Sequence, residues 1–162
     1  MKPISNILIA AFLFIAFIGF ADATYLSAKH YLGEIPPCSL VNGCETVLTS
    51  PYATLPIPGN IPIALVGAVY YLLLFVGGII YLDTKNIRVL KSIAYCTAVG
   101  FFTSTALVML QLFVIKALCL YCFVSAATST LLFIFGIVIL KKFKQNDGIQ
   151  KDTFANMPTL MR

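Results

Sequence analysis

An all-α membrane protein with four transmembrane helices is the fold class that this 162-residue sequence predicts. Three observations lead there. Hydrophobic residues make up 60% of the chain and charged residues only 10%, too little charge to cover the surface of a soluble domain of this length. Four nearly charge-free apolar runs, Ile4–Ala28, Ile61–Leu82, Val89–Ile115 and Leu118–Leu140, are each long enough to cross a bilayer as a helix. The basic residues gather at the ends of those runs, mostly on one side.

That gathering sets a topology. With the N-terminus inside, Lys2, Lys85, Arg88, Lys91, Lys141, Lys142, Lys144, Lys151 and Arg162 face the cytoplasm, and only Lys29 and Lys116 face out. The positive-inside rule favours this orientation. It also accounts for the net charge of +5 without nucleic acid. Residues 1–143 are expected to form one integral membrane domain with both termini cytoplasmic. The polar remainder, 144–162, with Asn146-Asp147-Gly148 as a breaker, is expected to be a disordered cytoplasmic tail.

The first run has a competing reading as a cleaved signal peptide, because Lys2 precedes an apolar core and Ala21-Asp22-Ala23 resembles a cleavage site. The apolar pattern continues through Tyr25 and Leu26, further than a signal core needs, so retention as a first helix is preferred. The connection that follows, Tyr31 to Asn60, is rich in Pro and Gly. Its Pro56-Ile57-Pro58-Gly59-Asn60-Ile61-Pro62 stretch excludes a continuous helix. Glu45 to Ser50 is expected to form a short helical turn ending before Pro51. The apolar side chains Val41, Val47, Leu48, Leu55 and Ile57 suit this extracytoplasmic loop to lie over the membrane face as a lid, and a plain loop is the bland alternative. Asp83 to Lys91 makes a short cytoplasmic connection. The last two spans form a tight hairpin that turns near Lys116-Ala117-Leu118. Gly100, Ser104 and the run Ser125–Thr130 mark close helix contacts or a thin place for a flat ligand.

Four cysteines carry the candidate chemistry, and the predicted topology puts all of them at the extracytoplasmic face, where disulfides persist. Cys119 and Cys122 are three apart at a helix start, on one face and within reach of a disulfide. The positive helix end there favours a thiolate. A pair at that depth can meet a lipid-soluble electron acceptor. Cys38 and Cys44 sit in loop backbone beside Gly43, with the mobility that thiol–disulfide exchange requires. A redox relay therefore stands first among three readings. Two structural staples are the second, although a Cys-x-x-Cys ring is too small to contribute much chain entropy. A four-thiolate metal site is the third; no His lies near either pair, the sole His being His30. Cys96 is expected to pack as a small hydrophobe. Asp22 and His30 read as interfacial polar residues without a catalytic part. Tyr25, Tyr31, Tyr52, Tyr70 and Tyr71 read as an aromatic belt near the outer surface.

Taken together, Cys38-x5-Cys44, the stretch Cys44-Glu45 to Tyr52-Ala53, Gly59-Asn60-Ile61-Pro62 and Cys119-Leu120-Tyr121-Cys122 resemble the vitamin K epoxide reductase family in its bacterial or archaeal form. The pieces follow the family's order over most of residues 8–140. The resemblance implies a four-helix bundle around a quinone, ubiquinone or menaquinone, that the helix-borne pair reduces. It implies that Cys122 is nearest the quinone, that Cys119 exchanges with the loop pair, and that Cys38 and Cys44 take electrons from a thioredoxin-fold partner. Ser50 matches a family serine near the ring, and Phe123 and Ala126 beside Cys122 are expected to line it. Vertebrate members carry a Tyr at the position of Ala126, which turns the expectation away from vitamin K epoxide and toward a respiratory quinone. Many bacterial members continue into a fused thioredoxin-like domain, so here a separate extracytoplasmic partner is expected. The reading is a membrane thiol:quinone oxidoreductase supporting disulfide formation, with a membrane metal-binding or transport protein as the alternative.

Overall fold

The computed structural model describes residues 6–37, 43–55 and 60–156, the last with side chains as far as Lys142. Within them the chain is helical: α1 (Asn6–Leu32), α2 (Cys44–Leu48), α3 (Ile63–Thr84), α4 (Ile87–Leu110) and α5 (Leu120–Asn156), with a π-helical turn, Gln111–Ile115, continuing α4. Four segments are long and apolar enough to cross a membrane, namely Asn6–Leu32, Ile63–Thr84, Ile87–Ile115 and Leu120–Lys142. Each lies within a few residues of its expected span.

Local chemistry sets the boundaries. Gly33, at φ +67°, ends α1 in the left-handed conformation that suits glycine. Pro62 precedes the first residue of α3, a place where its missing N–H costs nothing. The Asn86 side chain accepts from the Arg88 N–H at 2.9 Å and caps α4. Lys116, at φ 55°, closes the π-helical turn and reverses the chain toward α5. The expected disordered tail is instead helical through Asn156. Extending a helix already nucleated inside a span costs little per residue, and one glycine does not stop it.

The four long helices form a ring in which α1 packs on α3 and α5, and α4 packs on α3 and α5. Three buried layers run along its axis. The central one gathers Phe12, Ala16 and Ala23 of α1, Ala68, Tyr71 and Leu74 of α3, Ile93 of α4 and Leu132 of α5. Ile9, Tyr81, Leu90 and Ile139 fill the end near the α3–α4 connection. Cys44, Val47 and Cys119 fill the opposite end. Large apolar side chains such as Phe14, Leu73, Val99, Phe102, Phe113 and Ile134 point outward, the arrangement expected where lipid is the solvent. Register between the antiparallel α4 and α5 is fixed by Ser129 Oγ donating to Ser104 Oγ at 2.8 Å and by Phe101 stacked on Phe133 at 4.6 Å.

The short helix α2 belongs to a lid at the open end of the ring. The Leu55 N–H donates to the Ile61 carbonyl and the Ile63 N–H to the Ala53 carbonyl, both at 2.9 Å. These bonds flank one antiparallel bridge between Thr54 and Pro62 and pin the lid to the start of α3.

Candidate active site

Cys119 stands at the N-terminal cap of α5, where its carbonyl accepts the Phe123 N–H at 3.2 Å. Its side chain is fully buried. The Cys122 thiol and the backbone N–H groups of Cys122 and Tyr121 all point at its sulfur and favour the thiolate over the opposing effect of burial. Together they hold the Cys119 thiol down at about 7. Both cysteines of the pair are free thiols.

On its lid side Cys119 packs against Cys44 and Val47 of α2. This approach depends on Gly43. A Cβ there would stand 2.6 Å from the Leu118 carbonyl oxygen and 2.7 Å from its nitrogen, so only glycine lets α2 settle on the chain leading into Cys119. Cys44 is disulfide-bonded, and Cys38 lies outside the described residues. A second contact ties the loop down, with Tyr121 Oη donating to the Pro37 carbonyl at 3.3 Å while its ring packs on Tyr25 at 5.6 Å.

Cys122, one helical turn on, opens the other way. It lines an apolar cavity of about 290 Å³ bordered by the four long helices and the lid. Ser50 and Ala126 line the same cavity. The Ser50 hydroxyl donates to the Val47 carbonyl at 2.7 Å, which keeps its lone pairs available. Phe123 departs from expectation: it is absent from the cavity wall and 40% exposed on the outer face of α5. The reason is helical periodicity, since residues 122, 125 and 126 share a face and residue 123 is rotated about 100° from Cys122.

Several residues at the cavity differ from their sequence reading or escaped it. Asp22, taken as an interfacial residue, is half-buried and lines the cavity beside Cys122. Tyr70 and Tyr71, assigned to a surface belt, also line it. Tyr71 is 2% exposed; its hydroxyl donates to the Ser125 carbonyl at 2.8 Å and meets Thr128 Oγ1 at 2.9 Å. Gln111 was not singled out, although an amide in the middle of an apolar run is costly in lipid and so marks function. It is 3% exposed and lines the cavity together with Cys122, from the start of the π-helical turn. Cys96 shows the reverse error, since it is exposed on α4 rather than packed inside.

The cavity suits a flat apolar ring bearing polar oxygens. Its walls are apolar, and two buried polar atoms on it, Gln111 Oε1 and Tyr70 Oη, have no partner among the described residues. Among the described residues no three His, Cys, Asp or Glu side chains converge as a metal site requires. The disulfide at Cys44 also removes a thiolate that the metal-binding alternative needs.

A thiol pair at a helix N-terminus, covered by a lid on one side and open to an intramembrane cavity on the other, defines a class: oxidoreductases that work inside the membrane. The family model described as vitamin K epoxide reductase family matches residues 10–137. The chain therefore belongs to the vitamin K epoxide reductase family, as a multi-pass membrane oxidoreductase of a family that works with quinone-type electron carriers. No curated protein matches the chain in a direct comparison.

Proposed function

We propose that this protein is a thiol:quinone oxidoreductase that reoxidises a separate extracytoplasmic thioredoxin-fold protein and so supports disulfide formation. The observation that carries this reading is the placement of Cys119 and Cys122. Cys119 is buried against Cys44, while Cys122, a turn away, opens on the apolar cavity. Electrons entering at the loop thus have a continuous path to a lipid-soluble acceptor.

The residues act in sequence. The partner's dithiol attacks the Cys38–Cys44 disulfide, leaving the partner oxidised and the loop pair as thiols. A loop thiolate then attacks the Cys119–Cys122 disulfide at Cys119, the sulfur that faces the lid, and a second exchange closes the loop disulfide again. That attack releases Cys122, and Cys119, the better thiolate of the helix pair, held near 7 by its hydrogen bonds, leaves readily in the second exchange. Cys122, at the cavity wall, delivers two electrons as the Cys119–Cys122 disulfide re-forms. A quinone in the cavity supplies the oxidising power and takes up the two protons.

The test mixes purified protein, a reduced thioredoxin-fold protein and a soluble quinone analogue, and follows quinone absorbance. Loss of quinone with wild type and none with Cys122→Ala is expected. No loss with wild type, across benzoquinones and naphthoquinones and alongside an active control enzyme, rejects the reading.

A further inference from the structure

The side chain of Gln111 lines the cavity together with Cys122. Its Oε1 is buried there without any partner among the described residues. A buried carbonyl oxygen left unpaired is costly, and native proteins keep few of them without a reason. Nor is it a loose surface group, for Gln111 is 3% exposed.

The π-helical turn explains how this amide is presented. A π-helical turn inserts extra length into an α-helix and is frequent at functional sites. Here it begins at Gln111 and ends at Lys116 in the left-handed conformation. The Gln111 backbone carbonyl accepts the Ala117 N–H at 3.3 Å, closing the turn. The widened turn brings the side chain to the depth of Cys122.

Tyr70 Oη, the other unpartnered atom, lies elsewhere. It sits against Gly100, which is eleven residues from Gln111 along the same helix. That spacing corresponds to about 16 Å at 1.5 Å per residue, far beyond one aromatic ring. Gln111 is therefore the group that meets the ring oxygen beside Cys122, and Tyr70 borders the deep end of the cavity.

Oε1 of an amide only accepts hydrogen bonds. A quinone oxygen is itself an acceptor and offers Oε1 nothing. A hydroquinone hydroxyl is a donor and satisfies it. We infer that Gln111 makes the cavity selective for the hydroquinone over the quinone, and so draws electrons from the Cys119–Cys122 dithiol toward the acceptor. The dithiol gives two electrons and two protons and becomes a disulfide, while the quinone gains both and becomes a hydroquinone. Binding that favours the product state shifts this equilibrium forward by the same factor as the affinity ratio. This inference rests on the proposed function and adds the residue that sets its direction.

The experiment measures equilibrium affinity, without turnover, in the full-length Cys119→Ala protein, where no dithiol remains on the helix. A short-chain benzoquinone and its hydroquinone are titrated separately under anaerobic conditions. Hydroquinone is expected to bind about ten-fold more tightly, the worth of one hydrogen bond that spares a buried acceptor. Gln111→Leu should bring the two affinities to near equality, and Gln111→Met serves should the leucine variant fail to fold. Equal affinities before the Gln111 change, or a preference that survives it, overturns the inference while the proposed function stands. Binding of neither compound, nor of a naphthoquinone pair, overturns both.

Discussion

Cys119 combines burial with a lowered proton affinity, and the causes are specific atoms. The Cys122 thiol and two backbone N–H groups at the start of α5 face its sulfur. The direction can be checked by alkylation. In fully reduced protein the reaction of Cys119 with a small maleimide should rise with a midpoint near pH 7, because the thiolate reacts. Replacing Cys122 by Ala removes the leading donor, so the midpoint should move upward toward an ordinary thiol. A midpoint unchanged in that variant contradicts the assignment. The measurement uses a background lacking Cys38, Cys44 and Cys96, with modification of Cys119 separated from that of Cys122 by peptide mass.

At the scale of elements, the lid and the π-helical turn do what the long helices cannot. The four spans supply a ring and an apolar interior, while α2 brings Cys44 to Cys119 across the open end. Gly43 is the tolerance-limiting position, since any Cβ there meets the Leu118 backbone. Gly43→Ala should destabilise the lid by about 1–3 kcal/mol, the usual cost of overpacking. Exchange between the loop and helix pairs should slow at least ten-fold, while a small dithiol added directly still reduces Cys119–Cys122. Unaltered internal exchange, measured by quenched thiol counting, contradicts the contact.

The same elements show what could be read beforehand. The spans were legible because a bilayer demands long apolar runs, and the family motifs singled out Cys44, Cys119, Cys122, Ser50 and Ala126, which lie at the lid end of the bundle. The lid's short helix was also legible, through Pro51 as its stop. The cavity wall was not. Whether Asp22, Tyr70 and Tyr71 face lipid, water or the interior depends on how α1, α3 and α5 rotate against one another, which no single helix records. Hydropathy separates membrane from water, but all these helices are apolar around their whole circumference. Gln111 carried a signal, an amide inside an apolar run, yet its direction came from a π-helical turn that sequence periodicity does not show. Phe123 was misplaced by adjacency, where a turn of helix decided otherwise.

For the whole molecule, the account requires one end of the bundle to face the oxidising compartment. The orientation proposed from the distribution of Lys and Arg has the lid there and the α3–α4 connection in the cytoplasm. In intact cells a membrane-impermeant thiol reagent should label Glu34→Cys, an exposed position at the lid end of α1, in an otherwise cysteine-free chain. It should not label Asp83→Cys, in an otherwise cysteine-free chain, until the cells are opened. The reverse pattern overturns the orientation.

The relay itself is tested most directly by single-turnover stoichiometry. Fully reduced protein, freed of reductant, is mixed anaerobically with excess soluble quinone, and hydroquinone is counted. The account predicts two equivalents per wild-type chain, one from each cysteine pair, one equivalent for Cys44→Ala, and none for Cys122→Ala. One equivalent from wild type, or two from Cys44→Ala, would contradict the passage of electrons from the loop through Cys119 and Cys122 to the cavity.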